Sequence, residues 1–157
     1  SRSGASLADA TLTISAFIAG MLGGRALMSV QGMSRLEPMW VIRGGLLLTV
    51  AAVLVVWVSG FWALSAAAMA VAGFGVGILY PPSASITLAT APEAPAAASA
   101  RLVLAAGLAI LVAPLLLGVV ADLSDIESAW LLVPTACVGV ALLSVLVDRA
   151  RRAPEAR

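Results

Sequence analysis

The sequence predicts an all-α, polytopic membrane protein with five transmembrane helices, and three observations carry that prediction. Charge is missing from long stretches: between Arg43 and Glu93 the only ionisable side chain is Tyr80, and 102–121 and 128–147 are uncharged. A charged side chain at the bilayer centre costs about 2.5–3.5 kcal/mol on insertion scales, so crossing segments exclude it. The chain is 62% hydrophobic and only 11% charged, against about 25% charged in a soluble domain. Finally, the arginines stand at the edges of the apolar runs rather than inside them. Transmembrane strands are not expected, because no ten-residue alternation of polar and apolar residues occurs.

The crossings follow in order. About 20 apolar residues at 1.5 Å each span a core of ~30 Å. Leu7–Met28 supplies the first helix and Arg43–Ser59 the second. The uncharged run from Gly44 to Pro92 is 49 residues long, about 74 Å as one helix, so it must turn back, and Ser59-Gly60 marks the turn. The third helix then runs from Phe61 to Thr90, long enough to tilt, kink or project beyond the bilayer. Residues 100–120 give the fourth helix and 129–147 the fifth. Together they predict one transmembrane bundle over residues 1–157.

Orientation is read from the basic residues. Alternating sides puts residues 30–42, 91–99 and the tail after Asp148 on one face. That face and its helix ends hold Arg25, Arg35, Arg43, Arg101, Arg149, Arg151, Arg152 and Arg157, whereas the other holds Arg2 with Asp122, Asp125 and Glu127. Cytoplasmic ends carry the excess of Lys and Arg, so the C-terminus is expected in the cytoplasm of a multi-pass cell-membrane protein. The Arg149–Arg152 cluster suits anionic lipid, and the bilayer is the first partner implied.

Several chemistries are not expected. The chain has no histidine and a single cysteine, Cys137, so it offers no imidazole relay and no internal disulfide, and no metal site is expected. Its net charge of +1 gives no electrostatic footprint for nucleic acid. No G-x-x-x-x-G-K-[ST] loop is present for a nucleotide phosphate. No Ser/His pair or paired aspartates stand at midplane depth, so neither an enzyme nor a cofactor is expected.

A few residues remain as candidates. Asp9 is the acid nearest a crossing on the N-terminal side, and an intramembrane carboxylate is a proton- or substrate-site candidate. It lies early in its run, however, where headgroups reach. Thr13 and Ser83, with Thr11, Ser15, Ser85 and Thr87, could line a polar pathway, although hydroxyls in such helices more often bond a carbonyl one turn back. Gly73 and Gly77 form a small-xxx-small pair, as do Gly20 and Gly24, which lets a neighbouring helix approach closely. Pro81 and Pro82 lack N–H groups and predict a bend, and Pro114 with Gly107 and Gly118 weakens the fourth helix. Trp40, Trp57, Trp62 and Trp130 sit near helix ends as interfacial anchors.

Three segments together resemble the C-terminal half of a major facilitator superfamily transporter. Gly23-Gly24-Arg25 closing one helix, Arg35 in a short loop and Arg43-Gly44-Gly45 opening the next are similar to the superfamily's basic cytoplasmic loop between helices eight and nine. The acidic residue usual in that loop is absent from 26–34. The run Gly73–Gly77 followed by Tyr80-Pro81-Pro82 is similar to helix ten, and Ala113-Pro114 through Gly118 to Asp122 to helix eleven. The resemblance implies a fragment, helices eight to twelve of a secondary transporter, whose missing N-terminal half would be its main protein partner. It implies a small-molecule solute carried by alternating access, with an ion gradient, protons by family, as the energy source. Gly73, Gly75, Gly77, Pro81, Pro82, Pro114 and Gly118 would then serve as hinges. Two other readings stay open: a non-transport helical scaffold or subunit, and the permease subunit of an ATP-driven transporter.

Overall fold

A computed structural model describes residues 6–30, 36–124 and 126–152. Arg35, Asp125 and the side chains of the 149–152 cluster fall outside what is described. The elements are α1 (Leu7–Met28), α2 (Pro38–Val58), α3 (Trp62–Gly77), α4 (Tyr80–Ala89), α5 (Pro95–Leu123), α6 (Ile126–Trp130) and α7 (Leu132–Arg152). No strand occurs among the described residues. Five helical spans are long and apolar enough to cross a membrane, with α3 and α4 together making the third, Trp62–Ala89.

The ends of these helices follow local chemistry. Ser6 caps α1 in a reciprocal box with Asp9, which satisfies two backbone donors that the helix start leaves unpaired. Pro38 and Pro95 stand in the first turns of α2 and α5, where a missing N–H costs nothing and the fixed φ already suits a helix. Both helices therefore begin five residues before the apolar runs that predict them, at 38 rather than 43 and at 95 rather than 100. Apolar length marks the part of a helix in hydrocarbon, whereas proline marks where winding starts. The fifth span also differs from its expected bounds of 129–147: the short α6 precedes α7, which continues to Arg152.

The packed part of the molecule is built around α3. Gly20 and Gly24 of α1 meet Ala70 and Phe74 of α3, while Gly73 and Gly77 of α3 meet Phe17 and Met21 of α1. Residue numbers rise together along this seam, so α1 and α3 run parallel. On the other flank α2 runs antiparallel to α3, with Gly45 and Thr49 against Gly75. A small apolar core of Ala52, Val53 and Ala72, flanked by Phe17 and Val133, ties α1, α2, α3 and α7 together. In contrast, α5 keeps Val103, Leu104, Ile110, Leu111 and Leu115 exposed, as a helix facing lipid or another membrane helix would.

Candidate functional site

The glycines of α3 divide between its two faces. A Cβ on Gly73 or Gly77 would run into the backbone of Phe17 or Met21 in α1, and one on Gly75 would meet the Thr49 hydroxyl and the Gly45 carbonyl in α2. Removing those side chains is what lets three backbones approach, since helix association in lipid rests on close van der Waals contact rather than on a hydrophobic drive. Thr49 is buried and its Oγ1 donates to the Gly45 carbonyl at 2.8 Å, so the one polar side chain in this seam is satisfied within its own helix. All three sequence-selected glycines are thus brought to packed interfaces.

Directly beyond the seam the hydrogen-bond ladder is interrupted while the backbone stays helical, with Ile78 at φ −77°, ψ −11° and Leu79 at φ −76°, ψ −35°. The Ile78 N–H still reaches the Phe74 carbonyl at 3.2 Å, but the Leu79 N–H turns to Val76, three residues back, at 3.2 Å. The α4 segment begins at Tyr80, with Pro81 and Pro82 in its first turn. The cause lies in the prolines: neither can donate to the carbonyl four residues earlier, and their rings crowd the preceding turn. Ser83 restores the ladder, since both its N–H, at 3.2 Å, and its Oγ, at 2.8 Å, donate to the Leu79 carbonyl. Arg25, at the end of α1, places its guanidinium 5.5 Å from the centre of the Tyr80 ring.

The polar candidates do not converge. Asp9 accepts from the Ser6 N–H at 2.8 Å and from the Ser6 Oγ at 2.9 Å, so its carboxylate completes the capping box of α1. Thr13 Oγ1 donates to the Asp9 carbonyl at 2.8 Å. Thr87 Oγ1 does the same with Ser83 at 2.9 Å. Asp9 and Thr13 stand near the first end of α1, while Ser83 follows Tyr80, which faces Arg25 at the other end. The twelve residues from Thr13 to Arg25 correspond to about 18 Å of helix.

A second polar cluster escaped the sequence reading. Arg43 is not in a loop but within the second turn of α2, and its Nη2 meets Asp148 Oδ2 of α7 at 3.0 Å. Its Nε donates to Ser144 Oγ at 3.5 Å, and its guanidinium lies 5.8 Å from the Trp40 ring centre. The signal was present: Ser144 and Asp148 are four apart, hence on one helix face, and Asp148 is a lone acid at an arginine-rich end. Pro114 and Gly118 stand elsewhere, on α5, where a Cβ on Gly118 would meet open space. An apolar cavity of 370 Å³ lies beside Gly118, between α5 and the Ala129, Trp130 and Val133 side chains. The structure thus places the helix-breaking residues in two separate spans.

No curated protein and no solved structure matches the chain. The sequence model of the Major Facilitator Superfamily does match, over residues 1–157. The five apolar spans agree with that match, and the chain belongs to this superfamily of membrane transporters.

Proposed function

We propose that the chain forms the C-terminal, helix-eight-to-twelve part of a secondary transporter that carries a small solute by alternating access, driven by an ion gradient, with protons as the coupling ion. The observation that carries this reading is the family match over the full chain. The interrupted third span supports it, because a turn with missing ladder hydrogen bonds is a place where a helix can bend. In this reading the arginine-rich ends and the C-terminus face the cytoplasm, and the solute passes between this bundle and the other half of the transporter near the midplane. The break at Ile78 and Leu79 is the hinge; Gly73, Gly75 and Gly77 weld the part that stays fixed. Pro114 and Gly118 provide a second point of bending in α5. Asp9, Thr13 and Ser83 border the pathway at different depths, Asp9 and Thr13 toward one end and Ser83 toward the other.

Reconstitution of the whole protein into proteoliposomes tests this. Solute flux that rises several-fold under an imposed pH gradient, and collapses when the gradient is dissipated, is the expected result. Flux of no solute under any ion gradient would overturn the transport reading. In the same assay Asp9→Asn separates two roles: flux at the unaltered rate leaves Asp9 as a helix cap alone, and a loss of half or more places it on the pathway.

A further inference from the structure

We propose that Arg25 and Tyr80 form a latch across the helix break, fixing the bend of α4 relative to the welded α1–α3 pair. The inference deepens the transporter reading above and rests on it for its functional meaning, although its geometry stands alone. Upstream of the break, α1 and α3 behave as one body: Gly20 and Gly24 interlock with Gly73 and Gly77, and any added Cβ there strikes backbone. Downstream, α4 begins at Tyr80; its ladder from Ser83 to Leu79 carries it across the interrupted turn, and its buried Pro82, with Pro81 and Ser85, borders one pocket with Met28 of α1 and Pro38 and Val41 of α2. Arg25 is carried in the last turn of α1, yet its guanidinium reaches past Gly77 to the first residue of α4, 5.5 Å from the Tyr80 ring centre. One side chain on the glycine-packed pair therefore meets the first ring beyond the interrupted ladder.

The chemistry suits a reversible contact. A guanidinium over an aromatic face is attracted by the ring quadrupole, and the attraction grows as water is excluded. It has no directional hydrogen bond that must break, so the ring can slide and re-seat as α4 changes angle. Arg25 is solvent-facing and Tyr80 is half exposed, which leaves room for the guanidinium to move away toward headgroups. Arg25 and Tyr80 are thus positioning residues for the hinge.

The test measures the bend itself in the whole protein, in lipid nanodiscs, with Cys137→Ala removing the native thiol. Spin labels at exposed positions Ile14 on α1 and Leu88 on α4 report across the break, and labels at Ile14 and Val71 report within the welded pair. Tyr80→Leu and Arg25→Gln should each at least double the width of the Ile14–Leu88 distance distribution and leave Ile14–Val71 unchanged. Tyr80→Phe and Arg25→Lys, which keep ring and charge, should retain the original width. Broadening by Tyr80→Phe, or an unchanged width in Tyr80→Leu or Arg25→Gln, would overturn the latch. Because the readout is a distance, an absence of solute flux would count against the transporter reading while leaving the latch to stand or fall on its own numbers.

Discussion

Glycine carries two different meanings within this one chain, and the neighbouring backbone decides between them. Gly73 and Gly77 have no room for even a methyl group, whereas Gly107 and Gly118 on α5 face open space. Gly73→Ala or Gly77→Ala is therefore expected to lower stability by about 1–3 kcal/mol through overpacking, read as a fall of several degrees in the thermal midpoint in detergent. Gly107→Ala and Gly118→Ala should be neutral, or stabilising by up to ~1 kcal/mol from helix propensity alone. The four-residue spacing Gly20/Gly24 and Gly73/Gly77 made a close helix contact legible in the sequence. Their pairing with each other was not, because spacing identifies a flat face without naming what lies on it. Hydroxyls were legible in the same partial way: the bonds of Thr13, Ser83 and Thr87 to carbonyls four residues back follow from helix geometry, and they explain why these residues need no partner across the bundle.

At the scale of elements, α7 is held to the bundle by its face toward α2, and Arg43 with Asp148 closes that contact at one end while Val133 packs toward the core at the other. The pair is only 23% and 15% exposed, so losing one partner strands a largely shielded charge. Arg43→Gln and Asp148→Asn should each cost about 1–3 kcal/mol, and the double variant should cost no more than either alone, measured as a double-mutant cycle on thermal unfolding. Strictly additive losses would mean that the two side chains act independently. This contact shows what charge counting obscures: an arginine at a helix end reads as a topology marker, yet here it also pairs with an acid 105 positions away. The starts of α2 and α5 at Pro38 and Pro95 were hidden for a related reason, since helices continue past the hydrocarbon boundary that the apolar runs record.

At the scale of the molecule, the third span joins both themes: it is welded by glycines to its neighbours on two faces and then interrupted before Pro81 and Pro82. The number of spans was readable from charge exclusion, because a bilayer penalises charge at every crossing, together with helix length, which makes the 49-residue uncharged run turn back at Ser59-Gly60. The solute was not readable, since the bundle offers packing, one break and satisfied hydroxyls rather than a converging set of polar groups. In the proposed arrangement five spans thread the bilayer with the arginine-rich ends in the cytoplasm. Single cysteines placed at Ser59, between α2 and α3, and at Ala91, between α4 and α5, in the Cys137→Ala background test it with a membrane-impermeant maleimide on intact cells. Labelling of Ser59→Cys at once, and of Ala91→Cys only after the membrane is opened, is the predicted result; labelling of both from the same side would contradict it.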